Sequence, residues 1–168
     1  MKKSALLLPC LLLSAVAWST AGAQTCASPT GLTSGGNFSG DTTAGDTTVG
    51  SVCGGVVLTG PVNVYTWTNG GGAMSGSITV TPSNATYDVG LALGDGATCA
   101  AALGTCDGTA DNGVGGAAES IALGALATNK TYFLFVSSFA AGAATVTSGP
   151  FNGTAGTLPV KLQSFSVN

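Results

Sequence analysis

The chain has 168 residues, of which 45% are hydrophobic and only 7% are charged, with 27 glycines and a formal net charge of −3. This length is sufficient for one domain with a core of its own. The only cations are four lysines, which argues against nucleic acid as a partner, because phosphate binding needs clustered Lys and Arg.

Residues 1–23 have the pattern of a secretory signal peptide. Two lysines precede an apolar run from Ala5 to Trp18, and the small-residue motif AGA ends at Ala23. The run is too short to span a membrane, and no later stretch is apolar for long enough. We therefore predict export from a bacterial cell and a mature chain of 145 residues that begins at Gln24, with a net charge of −5.

The remaining chain predicts a single β-domain. Residues 24–50 are rich in Gly and Thr and contain the near-repeat GDTTAGDTTVG, which predicts a loop or an irregular edge. From there eight short β-like runs, most of them within residues 51–147, alternate with Gly, Asn and Pro. This rhythm predicts an all-β protein, a jelly-roll-like β-sandwich of about eight short and mostly antiparallel strands.

Two of the runs predict the core of the sandwich. VNVYTWTN alternates, so one of its faces should be core, and TYFLFVSS is apolar on both faces, which predicts a central strand covered on both sides. The aromatic residues Tyr65, Trp67 and Tyr87 are either core side chains or a platform on which a sugar could stack. Glycines interrupt the Ala-rich segments, which leaves room for one turn of helix between Cys99 and Cys106.

Four cysteines remain after loss of the signal segment: Cys26, Cys53, Cys99 and Cys106. In an exported chain of this size they are expected to form two disulfides, and the absence of His argues against a metal site built on them. Three pairings exist. Because CAAALGTC closes a short loop, the favoured pairing joins Cys99 to Cys106 and Cys26 to Cys53.

Four segments taken in order resemble the bacterial pre-peptidase C-terminal domain, a calcium-associated β-sandwich found beside secreted hydrolases. They are VNVYTWT, GSITVTPSNATYDVGLALGDGATC, CDGTADNG and ESIALGALATNKTYFLFV, and they cover residues 62 to about 147. The resemblance implies a β-sandwich that accompanies a catalytic domain and is associated with calcium. CDGTADNG departs from the family in its metal-binding part, because it lacks the adjacent Asp pair usual after the second cysteine. Separately, LPVKLQSF is similar to a segment common near the ends of secreted bacterial proteins.

Oxygen-bearing side chains gather in sequence around the Cys99–Cys106 segment. Carboxylate and amide oxygens are the ligands that Ca²⁺ prefers, so these side chains predict a weak calcium site. The alternative is that they shape turns by bonding their own backbone. No other cofactor is expected. The predicted ligands are Asp88, Asp107, Asp111 and Asn112.

The inventory of reactive side chains predicts a protein without catalytic activity. The chain has no His and no Arg, and its cysteines are expected to be paired, so the usual proton shuttle and thiolate nucleophile are missing. Lys130 stands in a turn and Lys161 on the terminal strand, where both should face solvent. Glu119, the only Glu, is surrounded by Gly and Ala.

The C-terminal segment raises the question of which sheet it joins. Residues 148–157, SGPFNGTAGT, predict a flexible lead, and residues 158–168 predict a β-strand. That strand either completes its own sandwich, with Lys161 protecting the edge, or fills the open edge of the next subunit and builds a filament. Its apolar side chains are Leu158, Val160, Leu162, Phe165 and Val167.

These observations predict a secreted structural or adhesive protein at the exterior of a bacterial cell. Its expected partner is another copy of itself or another surface protein, with filament formation through the terminal strand as the sharper form of the hypothesis. The alternative is a monomeric accessory module that binds a polysaccharide or a protein. A charged fraction far below the usual value of about 25% suits a subunit whose faces are covered by neighbours.

Overall fold

A computed structural model of the protein describes residues 24–111, 114–138 and 147–159. They form a β-sandwich of a five-stranded and a four-stranded sheet with a small additional hairpin, which confirms the predicted fold class. The described residues contain eleven strands, more than the eight predicted. The strands are β1 (Thr30–Gly31), β2 (Asn37–Asp41), β3 (Ser51–Val52), β4 (Val56–Val57), β5 (Asn63–Thr68), β6 (Ser77–Pro82), β7 (Gly90–Asp95), β8 (Gly108–Ala110), β9 (Glu119–Ala122), β10 (Thr131–Ser137) and β11 (Pro150–Thr154); a 3-10 turn spans Thr42–Ala44 and helix α1 spans Cys99–Ala102.

The five-stranded sheet has the order β1-β5-β10-β7-β8, and the four-stranded sheet has the order β2-β11-β6-β9. Neighbouring strands are antiparallel except for the short β1, which pairs with β5 in parallel. The run TYFLFVSS forms β10 at the centre of its sheet, where Phe133 is opposite Thr66 on one side and Gly94 on the other. The prediction of a central strand is therefore confirmed.

The core between the two sheets is built from the inward-facing residues of both. Trp67 stacks on Tyr132 with ring centroids 5.3 Å apart. Tyr65, Trp67 and Tyr87 are between 0% and 5% exposed, so they belong to the core and offer no platform for a sugar. The three aromatic side chains considered for sugar stacking are thus used for folding.

The outer face of the five-stranded sheet is also covered, by a part of the chain that we call the disulfide layer, residues 49–58 and 99–106. Its apolar side chains pack on those of β5, β7 and β10 that point away from the first core. Val64 on β5 and Phe135 on β10 are buried in this second cluster. Both faces of VNVYTWTN are therefore core, where the alternation predicted one.

The disulfides join Cys26 to Cys99 and Cys53 to Cys106, with Cα atoms 5.4 Å and 4.3 Å apart. The predicted pairing was wrong. Helix α1 directs Cys99 into the buried second cluster. The N-terminal segment lies beside this cluster, because the Gln24 carbonyl accepts a hydrogen bond from the Val64 N–H (2.8 Å). Cys106, beyond the helix, is left beside the β3–β4 hairpin that carries Cys53.

Two of the predicted segment boundaries were also wrong. Residues 24–50 supply β1 and β2, one strand to each sheet, instead of a separate Gly/Thr-rich segment. The predicted flexible lead, residues 148–157, contains β11, which pairs with β2 on one side and with β6 on the other. The sandwich therefore runs from residue 30 to residue 154. Part of the predicted run AATVTSG lies outside the described residues.

Burial of Tyr87 predicts a loss of stability at alkaline pH. Its hydroxyl donates to the Ser137 carbonyl (3.2 Å), and burial raises the pKa of Tyr87 to about 12. Because this exceeds the ordinary value near 10, the stability gained from the neutral hydroxyl is complete below pH 10 and falls by about 2 to 3 kcal/mol towards pH 12. Urea unfolding across this range measures the loss. Tyr87→Phe should make the alkaline decline smaller, with a remainder because burial also raises the pKa of Tyr65, and parallel declines for both proteins would contradict the assignment.

Candidate functional site

The predicted calcium ligands are distributed over the two ends of β8. Asp107 precedes this strand and its N–H donates to the Leu93 carbonyl (2.8 Å), whereas Asp111 follows the strand. Since β8 pairs antiparallel with β7, Asp107 lies towards Asp95 and Asp111 towards Asp88. In residues 24–111, 114–138 and 147–159, no three His, Cys, Asp or Glu side chains form a group able to hold a metal ion. Asn112 lies outside the described residues, and calcium binding stays a prediction.

The electrostatics of the two ends of β8 agree with this separation. Partial burial and the neighbouring Asp95 raise the pKa of Asp107. Partial burial, Asp88 and Glu119 raise the pKa of Asp111. Each end therefore holds its own small group of carboxylates.

Lys130 is the one cation among the described residues, and its environment is unsuited to proton abstraction. Its Nζ lies 2.5 Å from Asp95 Oδ2, and its side chain is 51% exposed. The hydrogen bond with Asp95 raises the pKa of Lys130, whereas a lysine base needs burial that lowers it. Lys161 lies outside the described residues.

The longest sheet edge without a neighbouring strand in the described part of the chain is that of β2. The backbone pairs of Gly36 with Ala155 and of Thr42 with Gly149 fix the phase of the β2–β11 ladder. Hydrogen-bonded pairs alternate in an antiparallel ladder, so the N–H and C=O groups of Asn37, Ser39 and Asp41 point away from β11. The Ser39 carbonyl accepts a hydrogen bond from the Tyr65 hydroxyl (3.0 Å). The β2 edge contains neither Lys nor Pro, the residues that commonly protect such edges.

An aromatic ring lies beside this edge. Phe38 is only partly buried and packs against the first core, with its ring centroid 4.7 Å from that of Tyr65 and 6.5 Å from that of Phe151. Because β2 is the last strand of its sheet, no strand among the described residues covers the outer side of this ring. An added strand would bury it.

The predicted assembly strand begins in the core of its own subunit. Leu158 is 1% exposed, and its N–H donates to Ser34 Oγ (2.9 Å). The Pro159 carbonyl accepts from the Gly70 N–H (3.0 Å). Leu158 is therefore a core residue, which corrects its assignment to a donor strand. The other predicted assembly residues, Val160, Leu162, Phe165 and Val167, lie outside the described residues.

The outer face of the four-stranded sheet is largely polar, and its charged residue is Asp41 at the end of β2. The strand registers place the side chains of this face in rows across the sheet, and we call two adjacent ones the outer rows. A shallow groove of about 340 Å³ crosses β2, β11 and β6 between these rows, and no charged residue lines it. The first row is Asn37, Thr154, Thr79 and Ser120, and the second is Ser39, Asn152 and Thr81.

Alternation along single strands explains why this face is polar. In β6, Ile78 and Val80 are fully buried, whereas Thr79 and Thr81 point outwards. In β11, Phe151 is buried between the exposed residues Pro150 and Asn152. Within the first row the hydroxyl oxygens of Thr79 and Ser120 are hydrogen-bonded to each other (3.0 Å). This face was not predicted, because two of its four strands, β2 and β11, were interpreted as loops.

Comparison with protein-family models, curated proteins and solved structures gave no match to this chain. The resemblance to the pre-peptidase C-terminal domain therefore remains a hypothesis. No helix in the described ranges has the length and apolar character needed to cross a bilayer. The two disulfides fit an extracellular protein.

Proposed function

We propose that this protein is a secreted, non-catalytic structural subunit of the bacterial cell exterior that assembles by strand addition. In this hypothesis residues 160–168 of one copy pair with the β2 edge of another copy. The observation that carries the proposal is the β2 edge itself, with three residues whose peptide groups point outwards and the partly buried ring of Phe38 beside it. Main-chain hydrogen bonds supply affinity in such contacts, and alternate side chains supply specificity.

The path of the chain before residue 160 favours pairing with a different copy. Residues 154–158 run antiparallel to residues 34–37, so the chain moves away from the body of β2. To reach the β2 edge of its own copy, the segment of residues 160–168 would have to reverse direction immediately after Pro159. Residues 160–168 would span about 30 Å in extended form. This exceeds the roughly 17 Å of a five-residue strand such as β2, so the segment is long enough to pair along the whole β2 edge of another copy.

The chemistry of the segment matches the acceptor. In an extended segment Val160 and Leu162 would point to one side, and Phe165 and Val167 would offer a second apolar pair after the change of phase. Side chains on the inward side would cover Phe38. Because donor and acceptor are different surfaces, the contact is heterologous and repeats without closing, which produces a filament.

A truncation that respects the core tests the proposal. The shortened protein ends after Pro159, so that Leu158 and the hydrogen bond from Gly70 to Pro159 are kept. We expect the full chain, purified after export, to form filaments or large oligomers in light scattering and electron microscopy, and the truncated protein to be a folded monomer. A full chain that stays monomeric at high concentration, or a truncated chain that still assembles, would contradict strand donation.

Ser39→Pro provides a matched variant on the acceptor side. It removes a backbone N–H that points outwards, while the ladder with β11 uses the peptide groups of Phe38 and Gly40. We expect this variant to fold but to assemble poorly. If it assembles as the unaltered protein does, the acceptor is a different edge.

A further inference from the structure

The outer rows form a regular array of hydroxyl and amide groups. Neighbouring strands in a sheet lie about 4.8 Å apart, and alternate residues along a strand lie about 6.8 Å apart. The registers of β2, β11, β6 and β9 are continuous across Asn37, Thr154, Thr79 and Ser120, so the array covers the full width of the sheet. These groups therefore face solvent at fixed spacings on a rigid support.

The groove between the outer rows offers hydrogen-bonding groups without charge. Asn37 and Asn152 each carry an amide that both donates and accepts. Thr79, Thr81 and Thr154 each present a hydroxyl and a methyl group. Phe38 and Gly153 form the floor of the groove, because they alternate along β2 and β11 with the residues of the outer rows. The phenyl ring of Phe38 is directed towards the core.

This combination suits a ligand that is itself neutral and rich in hydroxyl groups. A sugar ring alternates hydroxyl groups with C–H groups, and these can meet the amides and the threonine methyls. An anionic polymer would need cations, but the only described cation, Lys130, is paired with Asp95 on the other sheet. The two Asn side chains and three Thr side chains that line the groove give no carboxylate for a cationic ligand either.

We propose that the groove between the outer rows binds a neutral polysaccharide. The assignment does not depend on strand addition, because it uses only side chains of the four-stranded sheet. Binding through hydrogen bonds to solvent-exposed groups, with no stacking aromatic ring, is weak at a single site. Repetition of the site along a polymer, or along an assembly of subunits, raises the avidity.

Two isosteric substitutions test the site without disturbing the fold. Thr81→Val and Thr154→Val remove hydroxyls from the groove, keep β-branched side chains in the strands, and leave every ladder hydrogen bond in place. Thr109→Val is the matched control, because Thr109 is an exposed threonine on β8 in the other sheet.

The experiment measures depletion of the exported full-length protein from solution by cellulose, starch, chitin and xylan, with polygalacturonate as the anionic comparator. We expect retention on at least one neutral polymer, and roughly tenfold weaker retention for the double variant, the size expected from losing two hydrogen bonds. Thr109→Val should bind like the unaltered protein. Failure to bind any of the four neutral polymers, unchanged binding by the double variant, equal loss in the control, or retention on polygalacturonate alone would each overturn the proposal.

Discussion

Removal of the Cys53–Cys106 disulfide is expected to lower the free energy of unfolding by about 4 kcal/mol, from the entropy of the loop that it closes in the unfolded chain. The two cysteines are 53 positions apart. The bond also fastens the β3–β4 hairpin over the second cluster, where Val52 is 1% exposed. Urea unfolding of Cys53→Ser/Cys106→Ser beside the unaltered protein measures the effect. A loss below about 1 kcal/mol would show that the disulfide layer is held by packing alone.

Free thiols provide the control on which cysteines are paired. A chain with Cys53→Ser/Cys106→Ser keeps the partners Cys26 and Cys99, so it should contain no free thiol. A chain with Cys99→Ser/Cys106→Ser loses one partner from each bond and should present unpaired Cys26 and Cys53 before any rearrangement. Thiol labelling under denaturing conditions distinguishes the two. The reverse result would support the pairing that sequence spacing favoured.

Leu158→Ala is expected to lower the free energy of unfolding by about 3 kcal/mol, within the usual range for a buried leucine. Leu158 is 1% exposed in the first core. Shortening its side chain would leave a cavity in this core, next to the start of the C-terminal segment. Val57→Ala is the control, since Val57 is 58% exposed and should change the stability little. Thermal and urea unfolding of the chain that ends after Pro159 keep assembly out of the measurement.

The result decides where the subunit ends and the proposed donor segment begins. A large loss for Leu158→Ala places residue 158 with the domain that carries it, so that only residues 160–168 are available for another copy. A loss as small as that of the Val57 control would mean that Leu158 is not held in its own core. The division between core and donor would then have to move upstream of residue 158.

Strong hydrophobic patterns predicted the central elements of the fold. TYFLFVSS is apolar on both faces, and β10 is covered on both. PFNGT contains Pro, Asn and Gly and was interpreted as a flexible lead. It is nevertheless a strand, because it is paired on both sides and its Phe151 fills the core. Tertiary pairing there outweighs local propensity.

The candidate sites could be predicted only in part from the sequence, because tertiary pairing formed some of the strands that carry them. The outward threonines of β6 follow from the alternation in SITVTP, but their neighbours Asn37 and Asn152 come from segments without such alternation. The predicted disulfide pairing was wrong because closeness along the chain was taken as closeness in space. Helix α1 separates Cys99 from Cys106 and directs them to different partners.

The interleaved disulfides impose an order on biogenesis. Under the proposed export, a chain that emerges from its N-terminus would present Cys26 and Cys53 first, so an oxidant that joins cysteines as they emerge would link these two and trap a non-native form. The native bonds connect the first cysteine to the third and the second to the fourth. Productive maturation thus requires either that oxidation wait until β7, β8 and α1 have docked, or that a disulfide isomerase exchange the early bond through a mixed-disulfide intermediate. The yield of natively paired protein should therefore depend on isomerase capacity more than on oxidising strength.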